Sequence, residues 1–292
     1  MKKRWLFLPL ALGAVAALWQ KIELNRFRVT TYHVAEPRVH GKVRMAVVAD
    51  LHEKQFGKDN WRLLDAIVRL QPDVILIPGD LITASKDGSY PSLYPFDEEL
   101  SFVEGLTEIA PVLYSPGNHE RKIKDGNAAS QRVYALYRKD LEALGVHYLE
   151  NESVTMEFRG NAITFTGADI SRYYYKKFCR TPMKDFYLKK RLPQPDRENP
   201  QVLLAHNPTY FLQYASWGAD VTISGHTHGG LVRIPGIGSL ISPQFELFPK
   251  YDAGRFGCHG KTMLVSKGLG THTFHIRVFD RAEVLMVELR GY

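Results

Sequence analysis

Cysteine is nearly absent, with Cys179 and Cys258 the only two in 292 residues. They lie far apart in unrelated contexts, so spacing builds neither a disulfide framework nor a thiolate metal site. Internal repeats are missing too, and the 23 glycines and 16 prolines keep no period, which excludes solenoid and collagen-like chains. Charge of one sign is in short supply. Thirty-eight Lys plus Arg against 31 Asp plus Glu leave a formal +7, enough to favour an anionic substrate but too dispersed to argue for nucleic acid. What the chain does have is 45% hydrophobic and 24% charged residues, the balance of a globular protein with a sizeable core in one large or two small domains.

The N-terminus reads separately from the rest. Lys2, Lys3 and Arg4 precede an apolar run from Trp5 to Trp19 that only Pro9 and Gly13 interrupt, and charge returns at Lys21. That pattern predicts a membrane anchor over residues 1–28, with the body, 29–292, held outside the cytoplasm. Two other readings compete. Ala14-Val15-Ala16 resembles the cleavage site of a signal peptide, which would leave a secreted body, and the run is shorter than the ~20 residues that cross a bilayer comfortably, as a buried helix would be.

From Val43 the chain alternates between strand and helix patterns. Apolar strands are predicted from Val43 to Ala49, Val74 to Ile77 and Val112 to Tyr114, with helical stripes over Trp61, Leu64, Ile67 and Val68, over Phe102, Val103, Leu106 and Ile109, and from Val133 to Leu144 ahead of Gly145. Val154 to Phe158 and Ile163 to Thr166 flank Arg159-Gly160-Asn161-Ala162 as a hairpin, and short strands follow at Val202, Val221, Met263 and Val284. Two sheets covered by helices fit this order.

Five of these strands run into residues that bind metals. Val43 to Ala49 leads to Asp50-Leu51-His52, Val74 to Pro78 to Gly79-Asp80, Val112 to Pro116 to Gly117-Asn118-His119-Glu120, Val202 to Ala205 to His206, and Val221 to Ser224 to Gly225-His226-Thr227-His228. In open α/β sheets ligands gather at the carboxyl ends of strands, so residues distant in sequence can share one rim. Oxygen and imidazole donors without thiolate suit Mn, Fe, Zn, Co or Ni better than an all-oxygen calcium cage. Seven such groups exceed the needs of one ion. With Asp80 bridging they would serve two, and a pair of cations clamps both oxygens of an in-line displacement at phosphorus, which points to phosphoester hydrolysis.

Taken in this order, the five motifs resemble those of the calcineurin-like metallophosphoesterases over roughly residues 43 to 270. Gly229-Gly230, Phe248-Pro249-Lys250-Tyr251-Asp252-Ala253-Gly254 and Gly268-Leu269-Gly270 look like a membrane-linked bacterial branch of that family. The resemblance implies an α/β fold, a four-layer α-β-β-α sandwich of two mixed sheets, occupying 29–292. It implies two divalent transition-metal ions, with Mn, Zn or Fe foremost. Asp50, His52, Asp80 and His228 would hold one, and Asp80, Asn118, His206 and His226 the other, with a hydroxide between them as nucleophile. His119 would protonate the leaving oxygen or steady the transition state. Glu120 would orient His119, and Thr83, which stands where many relatives carry an acidic or amide residue, would support the ligands through its hydroxyl.

A basic and aromatic cluster, Arg172 to Phe178 with Arg180, supplies Arg172 and Lys176 as candidate substrate-binding residues, or forms a solvated loop. The expected substrate is an anionic phosphodiester or pyrophosphate: a wall-linked polymer such as teichoic acid in exported relatives, a UDP-2,3-diacylglucosamine-type lipid precursor in cytoplasm-facing ones. A catalytically inactive metal-bound scaffold and a nuclease are the alternatives, the second without a basic groove or stacking series to support it. Oligomeric state is not legible.

Overall fold

A computed structural model describes residues 4–85, 96–177, 181–230, 232–234, 236–242, 245–271 and 275–291. In chain order the elements begin with α1 (Arg4–Leu24), β1 (Phe27–Ala35), β2 (Lys42–Val47), α2 (Trp61–Leu70), β3 (Val74–Ile77), α3 (Asp97–Thr107), β4 (Val112–Tyr114), α4 (Asn118–Lys124), α5 (Ala128–Ala143) and β5 (His147–Tyr148). They continue with β6 (Ser153–Phe158), β7 (Asn161–Gly167), α6 (Phe186–Arg191), β8 (Gln201–Leu204), α7 (Phe211–Trp217), β9 (Val221–Ser224), β10 (Val232–Ile234), β11 (Gly238–Ile241), β12 (Gly254–Cys258), β13 (Lys261–Val265) and β14 (Ala282–Arg290).

Two six-stranded sheets result, ordered β1-β14-β2-β3-β4-β5 and β12-β13-β9-β8-β7-β6, beside a separate β10-β11 hairpin. Both are mixed. β2 to β5 run parallel while β14 opposes β2, and β13, β9, β8 and β7 run parallel between antiparallel β12 and β6.

Side-chain alternation sorts each strand between two cores. Val43, Met45 and Val47 of β2, Val74 and Leu76 of β3, and Leu113 of β4 meet Phe165, Val202, Leu204, Val221 and Ile223 from the other sheet. The intervening Ala46, Ile75, Ile77, Val112 and Tyr114 face α2, α3 and α5 through Leu63, Ile67, Phe102, Leu106, Tyr137 and Leu141. Leu203 and Ala205 do the same for α6 and α7 through Leu188, Tyr214 and Trp217. The four-layer α-β-β-α sandwich is therefore built by a period of two on the strands meeting a period of 3.6 on the helices.

The N-terminal segment departs from expectation. No helix among the described residues is long and apolar enough to cross a membrane, which overturns the anchor and the exported or secreted localisation built on it. The physical reason lies at the polar end of α1, which is folded onto the body. Glu23, buried, accepts from Arg281 at 3.1 and 3.2 Å, and Trp19 packs on Phe279 with ring centroids 6.1 Å apart. The apolar run before that end, from Trp5 to Trp19, would reach only ~22 Å as a helix against the ~30 Å of a hydrocarbon core.

One buried acid gives the fold a pH dependence. Glu99, in the first turn of α3, is 4% exposed; burial chiefly, then the charges of Glu53, Glu98 and Asp97, push its pKa up to about 7. The folded chain thus holds a proton that the unfolded chain releases near ~4.3, so this contribution to stability is full below that value and is lost as pH rises through about 7. Glu99→Gln should flatten the loss: between pH 5 and 8 the unfolding free energy of the parent, read by urea denaturation, should fall further than that of the variant by about 1–2 kcal/mol after solvent screening.

Candidate functional site

All five motif segments meet at one rim of the sandwich. Asp50 lies three residues past β2, Asp80 three past β3, Asn118 begins the helix after β4, and His206 and His226 lie two past β8 and β9. Parallel neighbours within each sheet put these carboxyl ends side by side, and the face-to-face packing of the sheets brings the two groups together.

The local backbone there is unusual. Asp50, His52, Asp80, His226 and His228 all have φ between 48° and 71°, the left-handed region that costs a non-glycine residue roughly 1–3 kcal/mol and persists only where surroundings hold it. The holding bonds are visible. Asp50 and His52 amides donate to the carbonyls of Gly79 and Asp80 at 3.1 and 3.2 Å, and the His226 amide donates to both carboxylate oxygens of Asp50 at 2.9 and 3.1 Å. Glycine makes the close approach possible. A Cβ on Gly117 would stand 2.2 Å from Asp80 Oδ1, and one on Gly225 would stand 2.3 Å from Asp50 Oδ2.

Three overlapping clusters of ligand atoms form, each with its atoms within 4.8 Å of one another: Asp50, His52 and His228; Asp80, His206 and His226; and His52, Asp80 and His119. Asp80 joins both sides, its Oδ2 lying 3.8 Å from His52 Nε2 and 3.0 Å from His206 Nε2. Burial drives the pKa of Asp50 and of Asp80 upward, and for Asp50 the charge of Asp80 adds to it. Without positive charge between them, both could not stay ionised at neutral pH.

Backbone atoms decide where the imidazole protons sit. His206 Nδ1 faces the Pro78 carbonyl at 2.9 Å and His228 Nδ1 faces the Gly270 carbonyl at 3.3 Å. A carbonyl only accepts, so each Nδ1 carries the proton and each neutral ring turns the lone pair of Nε2 inward. The clearest conflict is at His206, whose Nε2 lone pair faces Asp80 Oδ2 at 3.0 Å, while His228 Nε2 lies 3.2 Å from His52 Nε2. Asn118 Oδ1 is buried without a hydrogen-bond partner among the described residues. Such a set repels itself unless cations lie among the donors, so the residues present fit divalent metal ions.

His119 is wired differently. Its Nδ1 accepts from the Ala84 amide at 2.8 Å, so the proton of the neutral ring sits on Nε2. Although His119 belongs to one ligand-atom cluster, that wiring removes it as a donor to metal and leaves it an N–H facing the site. Thr83 places its hydroxyl 3.1 Å from His52 Nδ1. Glu120, expected to orient His119, serves the backbone: it accepts from the amides of Asp80 (3.0 Å), Leu81 (3.0 Å) and Gly117 (2.9 Å) and from the Tyr114 hydroxyl (2.6 Å). Burial and the charge of Asp80 push its pKa up to about 7, against the pull of Tyr114.

Arg172 and Lys176 are exposed, and the Lys176 ammonium rests 4.3 Å above the Tyr173 ring. Phe178 and Arg180 lie outside the described residues. Among the described residues of this segment, Tyr175 meets the site, edge-on to His226 with centroids 5.0 Å apart. It is fixed through its neighbour, whose carbonyl accepts from Asn207 Nδ2 and the Tyr210 hydroxyl, both at 3.1 Å. Nothing in a run of three tyrosines shows which one turns inward.

The profile of the calcineurin-like phosphoesterase family matches residues 43–230, well over half of the chain. The chain belongs to that family. It is a metal-dependent phosphoester hydrolase. Among its relatives, the phosphodiesterase YaeI of Escherichia coli is 26% identical over 252 residues, covering 84% of this chain and 82% of the relative. The uncharacterized protein YpbG of Bacillus subtilis is 24% identical over 283 residues, covering 96% and 94%. The solved calcineurin-like phosphoesterase YfkN of Bacillus subtilis superposes with a TM-score of 0.42 at 16% identity, over 79% of this chain and 82% of that one.

Because Gly117 has an ordinary φ of −92°, Gly117→Ala tests close packing against Asp80 without added backbone strain. The new methyl must displace Asp80, and a shift of that size should lower kcat/KM about 100-fold, read by steady-state hydrolysis alongside metal content after dialysis.

Proposed function

We propose that the protein is a binuclear-metal phosphodiesterase, acting on a phosphodiester or pyrophosphate bond. The observation that carries this is the position of Asp80 between two donor sets: Asp50, His52 and His228 would hold one ion with it, and Asn118, His206 and His226 the other. The similarity to a phosphodiesterase along most of both chains supports the diester class. When bound, the two cations supply Lewis-acid charge for the phosphoryl oxygens and a hydroxide nucleophile at neutral pH.

The residues do the rest. Asn118 opens α4, and Asp80 Oδ1 accepts from the His119 amide at 2.8 Å, which holds that carboxylate against the start of the helix. His119 offers Nε2–H to a phosphoryl or leaving-group oxygen. It acts as a neutral hydrogen-bond donor: a second proton on Nδ1 would point at the Ala84 N–H, and a neutral imidazole that lost its proton would become an imidazolate, far too basic to form. Of the two roles the motif implies, steadying the transition state fits this wiring.

A metal-by-substrate matrix tests the reading. Protein loaded with Mn, Zn or Fe should hydrolyse bis-p-nitrophenyl phosphate or a nucleotide-sugar pyrophosphate in preference to p-nitrophenyl phosphate, and Asp80→Asn should be inert; equal silence on every ester with every metal refutes it. His119→Ala should cost ~10²–10³-fold in kcat, with the same factor for aryl and alkyl leaving groups, and His119→Asn should recover part of it through its amide N–H. A loss confined to alkyl esters would instead mark a general acid.

A further inference from the structure

One cation is buried behind the ligand set. Arg277 is 2% exposed, and a guanidinium withdrawn from water must find acceptors for its N–H groups. Its Nη2 donates to three carbonyls of a single turn, Lys267 at 3.0 Å, Gly268 at 3.0 Å and Gly270 at 2.7 Å. Nη1 turns to Asp280, donating to its carbonyl at 3.1 Å and lying 3.4 Å from Oδ2. Carbonyl dipoles repel when they converge, so the turn holds this shape because a positive charge sits at the focus.

That turn touches both Asp50 and His228. The Leu269 and Gly270 amides donate to the carbonyls of Ala49 and Asp50 at 3.0 and 2.6 Å. Gly268, at φ +64°, approaches so closely that a Cβ would stand 2.6 Å from Asp50 Cβ. The Gly270 carbonyl, held by Arg277 on one side, faces His228 Nδ1 on the other. His206 in the other donor set takes its orientation elsewhere, from Pro78.

We infer that Arg277 is a positioning residue for the Asp50–His52–His228 half of the site: its grip on the Lys267–Gly270 turn fixes the carbonyl that keeps the His228 proton on Nδ1 and its Nε2 facing inward. This rests on the metal reading above. It makes the two half-sites unequal in what supports them, since only one leans on Arg277.

Metal-free protein titrated with manganese alone by calorimetry tests it, with His228→Ala marking which binding step belongs to this half. In Arg277→Lys, which keeps the charge and loses the fork, that step should weaken ~10–100-fold while the other holds its affinity. Asp280→Asn, which loosens the guanidinium without removing it, should move the same step by less and serves if the lysine variant does not fold. A folded Arg277→Lys whose two steps are both unchanged, or both weakened alike, overturns the inference and leaves the binuclear reading standing. Parent protein that binds neither manganese nor, in a repeat titration, zinc or ferrous iron sinks the metal reading itself and the inference with it.

Discussion

Two carboxylates and a ring of imidazoles occupy the same buried rim, and backbone atoms dictate which nitrogen keeps its hydrogen in three of those rings. Proline and glycine carbonyls take the Nδ1 protons of His206 and His228, while an alanine amide takes the Nδ1 lone pair of His119. Among these three, the same side-chain type is thereby split into two inward-facing acceptors and one inward-facing donor. Remove these main-chain contacts and the donors would relax by sharing protons with Asp50 and Asp80, as buried acids at neutral pH do.

The sandwich exists at this rim to keep that arrangement from relaxing. Five residues in left-handed backbone represent roughly 5–15 kcal/mol of local cost, comparable to the whole net stability of an ordinary domain. It is offset by amides that bond across from one motif segment to the next and by two hydrophobic layers that anchor the strands ending there. Glu120 is the clearest case, a single buried carboxylate tying the turn after β3 to the start of α4.

Much of this was readable in the residues. The strands feeding Asp50, Asp80, His206 and His226 are short apolar runs, and a ligand type directly after such a run is a local signal that needs no partner to be noticed. Boundaries came within a few residues because the strands are buried on both faces and so lack charged interruptions. β1 was invisible for the opposite reason: it is an edge strand whose residues alternate between half-buried and exposed, and its pairing with β14 bridges nearly the full length of the chain. The N-terminal run misled because hydropathy counts the apolar residues without weighing the polar end that docks on Arg281. Arg277 and Ala84 had no pattern to announce them, since each matters through backbone groups or a contact that no motif encodes, and the cluster around Tyr175 was visible without showing which ring faces the site.

The amide of Gln20 in α1, set to satisfy both of its partners, bonds the backbone nitrogen and oxygen of Arg277. The first helix and the catalytic rim are thus linked through one residue of a late loop. Trimming the chain ahead of Phe27 would cut that tether together with the Glu23–Arg281 pair, so the loss would reach the loop that carries Arg277 and, through it, the ligand side chains.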